Sequence, residues 1–546
     1  MIDAKQQTEP APIRTVASCF PMVQARPKQL EAMAFIDDAY KAGYRDIIIE
    51  GATGVGKSGI GVAVCQWANR LEEEGHPGGY YLVTQKLLQD QLTSDFESGK
   101  FQGVGYDIKG AAEYVCEKYK DCGTGGRATK PCACRQNGSC PYIQQRSRFV
   151  GATTAVTNYP YLFAEHKYVG ELPKRKVIIC DECHSLPSQL ITFQDVRVGP
   201  DELEKWRLDL TIPELRNLRE FASWLRAHYV PALDESLQIA LELAECSPDD
   251  EFAREVVKID QHMCKVNRAL DLIRKDPTDW VFWPEEDKDR RINYIARPLD
   301  AAPYMKEYIH EMGSLRIYMS AYVGSKELFC RTLGLDPEDV ACIKIDSPFP
   351  AANRPIVLGY AGSMAMRNVD ETMPKFLKFA ARLLDNHSDE KGIMHLGSYK
   401  LCNAVYSKFI NHPVHGSRLL FPRNAKERAD VFEAHSRSDK PTVIISPSMT
   451  EGFDFNEDLA RWQIIGKVAW PFLGDRWVLA KKQHDPDWYV QQAISTVIQA
   501  TGRVCRSDTD KGVTYILDSD FERIYQDYQS FFPKWYKAAV VRPGKP

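Results

Sequence analysis

An α/β fold of two parallel-sheet units, with two insertions in the first, is predicted by three observations. Short buried-strand patterns alternate with helical ones in two long series, as in a parallel sheet covered by helices. One strand–helix junction carries the glycine-rich pattern Gly51-x-x-x-x-Gly56-Lys57-Ser58. The first series is broken twice, by a cysteine-rich stretch and by a long, charged helical one.

Residues 1–25 read as a loose lead-in with three prolines, and a helix is expected over 28–40. The apolar run at 46–50 predicts a buried strand, followed by the glycine-rich pattern and a helix over 59–69. A second strand at 80–84 leads into a helical stretch at 86–92. Residues 99–145 break the rhythm with glycine, cysteine and few long apolar runs; it resumes over 149–158 and with a strand at 176–180. From about 200 to 310 the pattern is mostly helical, with Trp206, Trp224, Trp280 and Trp283 expected in its core. A strand at 315–320 closes the first series. The second starts near 340, with strands at 356–360, 392–396, 442–446, 463–468 and 512–517. No internal repeat or low-complexity linker interrupts the chain.

Of 546 residues, 44% are hydrophobic and 26% charged, an ordinary globular composition. At roughly 100–200 residues per domain this length holds about three or four domains. Seventy Lys and Arg against 74 Asp and Glu give a net charge of −4, so any nucleic acid must be gripped by a local cleft. No apolar run approaches the roughly 18–20 residues that span a bilayer, and the start MIDAKQQTEP lacks a signal peptide's apolar core. A membrane or secreted protein is therefore not expected. Fifteen cysteines, an odd count, fit a reduced compartment better than a disulfide framework.

Four groups of residues carry chemistry. In the phosphate-loop pattern, Gly51, Thr53, Gly54 and Gly56 let backbone N–H groups turn toward phosphates at a helix N-terminus. Lys57 is expected to reach the β/γ-phosphates of ATP and Ser58 to hold Mg²⁺. The second group is Asp181-Glu182-Cys183-His184 at the end of a strand: Asp181 for Mg²⁺, Glu182 for the attacking water, His184 for coupling to a second domain. The third is Gln499, Arg503 and Arg506, spaced i, i+4 and i+7 on one helical face. Such arginines either meet transition-state charge across a cleft or form a surface ion-pair face. The fourth is Cys116-x₅-Cys122-x₉-Cys132-x-Cys134-x₅-Cys140, where thiolates this close are metal ligands before they are disulfides. By spacing alone a four-thiolate zinc site is as acceptable as an iron–sulfur one. Arg127, Lys130, Arg135, Arg146 and Arg148 surround the run, either lining a nucleic-acid path or forming a solvated face.

Asp-Glu-x-His with this phosphate loop resembles the superfamily 2 helicases, and Asp181-Glu182-Cys183-His184 resembles their XPD/DinG branch. Gln499-Ala-Thr-Gly502-Arg503-Val-Cys-Arg506 is similar to the family's last motif. Arg26-Pro27-Lys28-Gln29 resembles its adenine-side motif, with Gln29 as base reader. Thr84-Gln85 resembles the first nucleic-acid contact, and Ser398-Tyr399 the second unit's contact with single-stranded DNA. Glu451-Gly452-Phe453-Asp454-Phe455 resembles that unit's E-G-x-D-F element, implying ATP contacts for Glu451 and Asp454, and Trp470-Pro471-Phe472 resembles the loop after the following strand. Ser320-Ala321-Tyr322 resembles a Ser-Ala-Thr coupling motif but departs at its third residue.

The resemblance implies two RecA-like P-loop motor domains, the first carrying an iron–sulfur insertion and a helical arch. The expected division is 1–98, 149–198 and 313–338 for the first motor, 99–148 for the cluster domain, 199–312 for the arch and 339–546 for the second motor. It implies a [4Fe–4S] cluster on Cys116, Cys134, Cys140 and one of Cys122 or Cys132. Cys132 and Cys134 are one residue apart, which makes chelation by both awkward and favours Cys122. The implied activity is an ATP-dependent DNA helicase moving 5′→3′ on single-stranded and forked DNA, as a monomer with no membrane partner. An ATPase that remodels nucleic acid without unwinding, and a binding module with a decayed ATPase, are the alternatives. The compact length and the absence of a nuclear-localisation run point to the cytoplasm of a bacterial or phage-infected cell.

Overall fold

The computed structural model describes residues 15–71, 74–125, 132–246, 251–424, 426–447, 455, 457–505, 507 and 509–542. Ten strands fall in the first part of the chain. They are β1 (Asp46–Gly51), β2 (His76–Val83), β3 (Gly105–Asp107), β4 (Thr154–Asn158), β5 (Arg175–Cys180), β6 (Val196–Val198), β7 (Trp280–Glu286), β8 (Ile292–Pro298), β9 (Gly313–Ser320) and β10 (Val340–Ile345). Seven of them form a parallel sheet in the order β10-β1-β9-β5-β2-β4-β3. The second part supplies β11 (Ile356–Gly362), β12 (Gly392–His395), β13 (Leu419–Leu420), β14 (Val443–Ser446), β15 (Trp462–Ile465), β16 (Val513–Asp518) and β17 (Val540–Val541). They form a second parallel sheet, β13-β14-β12-β15-β16-β11-β17.

Both faces of the first sheet are covered, so its strands are apolar in an unbroken run rather than alternately. Ile47, Ile48 and Ile49 of β1 are all fully buried. Ile47 and Ile49 join Tyr81 and Ile179 in the core on one face, while Ile48 joins Tyr80 and Ile178 on the other. Each such side chain contributes about 1.5–3 kcal/mol on leaving water. The first of these cores continues without a break into Ile465, Ile494 and Ile516 of the second unit, so the two units are packed together through apolar side chains.

The strand order positions the chemistry. Because β1, β9 and β5 are neighbours, the segments that leave their carboxyl ends lie side by side, where open α/β sheets bind ligands. Those segments are the phosphate loop, Ala321–Ser325 and the Asp181-Glu182 pair. The chain returns from the cysteine-rich insertion through a fully buried guanidinium. Arg175 donates to the carbonyls of Phe149, Val150, Ala152 and Pro77 at 2.6–3.0 Å and lies over the Tyr80 ring. Four terminal donor bonds make this buried charge tolerable, while its Nε has no hydrogen-bond partner among the described residues.

One expectation is corrected. β10 pairs with β1 from Asp46↔Val340 to Gly51↔Ile345, so 340–345 belongs to the first sheet and not to a second unit beginning at 339. Alternation marks a strand but not the sheet it joins. The stretch 199–312, expected to be mostly helical, also holds strands: β7 and β8 form an antiparallel hairpin, joined by β6, beneath the helices Val230–Cys246 and Glu251–Lys275. Its aromatic Trp280-Val-Phe-Trp283 run suits a half-buried strand. All four tryptophans of the region are buried, as the sequence predicts. No described helix is long and apolar enough to cross a membrane.

Candidate nucleotide site and cysteine centre

The phosphate loop leaves β1 and ends at Gly56, the cap of the helix Lys57–Trp67. Gly54 and Gly56 have φ of 88° and 83°, the left-handed region that side chains with a Cβ rarely adopt. Lys57 Nζ donates to the Gly51 carbonyl at 3.1 Å, so the ammonium is folded over its own loop. Gln29, 3% exposed, braces the loop from outside: its Nε2 donates to Gly56 O at 3.1 Å and its Oε1 accepts from Arg26 N at 2.8 Å. Both ends of that amide are thus engaged by the protein.

The Asp181 carboxylate is held from two sides, by Tyr81 Oη donating to Oδ2 at 2.8 Å and Glu182 N donating to Oδ1 at 2.9 Å. Glu182 itself has φ of 47°, a left-handed backbone in a residue with a Cβ, costing about 1–3 kcal/mol. Ser320 Oγ lies 3.5 Å from Glu182 Oε2 and 2.9 Å from His184 Nδ1. Burial and the adjacent Glu182 charge push the Asp181 carboxyl up. Burial acts on Glu182 too, but His184, Lys57 and Arg503 outweigh it and hold that carboxyl down. One acid is thereby made a poor anion and its neighbour a secure one. Tyr322, third in the departing Ser-Ala-x triplet, is 1% exposed and points into the core, so only Ser320 offers a hydroxyl here.

From the second unit, Gln499 on the helix Pro486–Thr501 brings Nε2 to 2.8 Å from His184 Nε2. Gly502 lies against Thr53 of the phosphate loop. The expected single helical face is corrected: the helix stops at Thr501, and Arg503 sits in the turn beyond, its N–H on Ala500 O at 3.2 Å. The i+4 spacing therefore does not carry through. Arg503 nevertheless lines the same cleft of about 660 Å³ as Thr53, Gly54, Lys57, Ser58, Asp181 and Glu182. Arg506, Glu451 and Asp454 lie outside the described residues.

The predicted nucleic-acid residues are spread over both units. Thr84, at the carboxyl end of β2, is on the wall of that cleft. Ser398 caps the helix Tyr399–Phe409, its Oγ accepting from Leu401 N at 3.3 Å. The half-buried Tyr399 ring packs on Phe421 with its hydroxyl turned inward. Sequence reasoning missed Tyr81, whose only signal was a polar hydroxyl in an otherwise apolar strand, and the engagement of Ser320 with His184.

All five cysteines of the run are buried in one cluster with Tyr114 and Tyr142. The thiols of Cys116, Cys132 and Cys134 lie within 4.8 Å of one another. Chelation by both Cys132 and Cys134 was expected to be awkward, yet their sulfurs are 2.9 Å apart. Cys132 is extended (ψ 149°) and caps the short helix Ala133–Gln136, so the chain turns between the two thiols. Cys140 N donates to Cys134 O at 2.8 Å, closing the next loop, while Cys122 Sγ donates to Val115 O at 3.3 Å. A buried set of sulfur donors fits an iron–sulfur or thiolate-bound metal centre. Of the basic residues nearby, Arg146 is spent on Glu165 and Glu171, at 2.6 and 3.2 Å, and Arg148 lies over Tyr106. Arg127 and Lys130 are outside the described residues.

Comparison with known proteins matches both units. The helicase C-terminal domain model matches residues 381–539, and the model for the type III restriction enzyme, res subunit, matches residues 22–211. The ATP-dependent DNA helicase YoaA of Haemophilus influenzae is 21% identical over 438 residues, 71% of this chain and 67% of that protein. The regulator of telomere elongation helicase 1 homolog of Caenorhabditis briggsae is 29% identical over 116 residues, 18% of this chain. The 3′-5′ exonuclease DinG of Staphylococcus aureus is 21% identical over 176 residues, 31% of this chain. These alignments span only 11% and 19% of those two relatives. A solved XPD helicase structure superposes with a TM-score of 0.62 at 14% identity, covering 96% of this chain and all of the other. The structure of S. tokodaii Xpd4 gives 0.56 at 12% identity, with 95% of this chain covered. At these identities the structural likeness establishes the fold.

Proposed function

We propose that this chain, an XPD/DinG-like protein of superfamily 2, is an ATP-dependent DNA helicase that moves 5′→3′ on single-stranded DNA and opens forked duplexes. One observation carries the reading: Lys57, Ser58, Asp181 and Glu182 of the first unit and Arg503 of the second line a single cleft, with Gln499 bonded across it to His184. Residues from two bodies around one phosphate site make an ATPase whose closure and turnover are linked. The polarity comes from the family resemblance.

Ser58 and Asp181 would hold Mg²⁺, which neutralises β- and γ-phosphate charge when bound. Lys57 leaves the Gly51 carbonyl to meet the same phosphates. Glu182, held as an anion, orients the attacking water and takes its proton, and Arg503 meets charge on the transferred group. Arg506, Glu451 and Asp454 are proposed to complete the site. His184 reports the state of the cleft to both Ser320 and Gln499, joining hydrolysis to movement between the units. Thr84 on one unit and Ser398 and Tyr399 on the other would contact the strand, so opening and closing advances it.

We assign the first motor to residues up to 98, 149–198 and 313–345, the cysteine domain to 99–148, the arch to 199–312 and the second motor to 346–546. Cys116, Cys132, Cys134 and Cys140 would hold a [4Fe–4S] cluster, which supplies a covalent staple to a domain with little apolar core. We take Cys122, whose thiol donates to the Val115 carbonyl, as the fifth, non-ligating member. The test is ATP hydrolysis with and without single-stranded DNA, together with displacement of a strand from forked DNA. DNA-stimulated hydrolysis with displacement supports the reading; absence of both overturns it.

A further inference from the structure

Tyr81 is a side chain at the nucleotide site that no phosphate-loop or acidic-box pattern accounts for. It lies on β2, next to β5 in the sheet, is fully buried, and directs its ring under the helix Lys57–Trp67. That helix makes room for it with Gly61, where a Cβ would come within 2.5 Å of Tyr81 Cε2. A glycine inside a helix costs about 1 kcal/mol relative to alanine, and here the ring occupies the space it leaves. The result is a hydroxyl beneath the helix that carries Ser58, aimed at the other expected magnesium ligand: Tyr81 Oη donates to Asp181 Oδ2 at 2.8 Å.

Donor rules fix the direction of this bond. A carboxylate that holds a cation is ionised and only accepts, so the single tyrosine proton goes to Asp181 Oδ2. The hydroxyl thereby holds Asp181 in place at the cleft, beside the helix that carries Ser58.

We propose that Tyr81 is a positioning residue for the magnesium ion of the nucleotide site, orienting the Asp181 carboxylate through its directed hydroxyl. This rests on the ATPase reading above. The test uses the whole 546-residue chain and Tyr81→Phe, which keeps the ring and removes the hydroxyl. A fluorescent ADP analogue is titrated in EDTA and at rising Mg²⁺, and the Mg²⁺ needed for half-maximal ATP hydrolysis is measured. Affinity in EDTA should match the parent, and half-saturating Mg²⁺ should rise about 10- to 100-fold, the usual effect of losing a group that orients metal ligands. Hydrolysis should recover at saturating Mg²⁺. Unchanged Mg²⁺ dependence overturns the proposal, as does equal weakening with and without Mg²⁺, the mark of a purely structural role. If Tyr81→Phe does not fold, Gly61→Ala displaces the same hydroxyl from the helix side and is read by the same two criteria. A parent protein whose nucleotide binding ignores Mg²⁺ would instead sink the ATPase reading, so the two failures are distinct.

Discussion

Lys57 rests on the Gly51 carbonyl at 3.1 Å, poised at the mouth of its own loop. Lys57→Ala should reduce phosphate release to background while leaving the fold intact, since the side chain is only half-buried; normal turnover would contradict the assignment. Glu182 combines a left-handed backbone with a carboxyl held down by His184, Lys57 and Arg503, against burial. Glu182→Gln should keep nucleotide binding and lose about 10²–10⁴-fold in turnover, the usual share of a general base, read in single-turnover assays. Residues whose roles depend on chain neighbours, such as Gly51–Ser58 and Asp181–His184, were legible in the sequence. Tyr81 was not, nor were the bonds that join Ser320 to His184 and Gln29 to Gly56, because those partners lie 27 or more positions away.

Elements divide in the same way. Buried parallel strands announce themselves by apolar runs, so β1, β2, β5, β9 and most strands of the second sheet fall where the pattern puts them. The sheet that β10 joins is set by packing against β1, which composition does not encode. The helix carrying Gln499 stops at Thr501, before Arg503, a boundary that i, i+4 counting passes over. In the cysteine run, spacing argued for Cys122 while the turn after Cys132 brings Cys132 and Cys134 together. Cys132→Ser should therefore lose iron and its visible absorbance, and Cys122→Ser should keep both; metal analysis after anaerobic purification decides. The reverse pattern would restore Cys122 as ligand, and stoichiometric zinc in a colourless parent would remove the cluster.

At the scale of the molecule, the two units meet through a few directed bonds as well as the shared core. Gln491 of the second unit, 8% exposed, donates to Val323 O at 2.9 Å and accepts from Ser325 N at 3.2 Å, on the loop that follows Ser320. Trp477 donates to Pro298 O at 2.8 Å, and Lys481 pairs with Asp300, tying the second unit to the base of the arch. Losing buried hydrogen bonds costs about 1–3 kcal/mol. Gln491→Ala should accordingly weaken the closed arrangement and lower strand displacement about tenfold at equal ATP turnover, measured side by side. A net charge of −4 is compatible with the proposed reading, because a motor on DNA needs a local track and not a basic surface.

The most direct test of the central claim is strand displacement from forked DNA bearing a 5′ or a 3′ single-stranded tail, with Mg²⁺ and ATP, by protein purified without oxygen. The account predicts ATP-dependent displacement of the 5′-tailed fork and none with Lys57→Ala. DNA-stimulated ATP hydrolysis without displacement on either fork would contradict it and leave a translocating or remodelling ATPase.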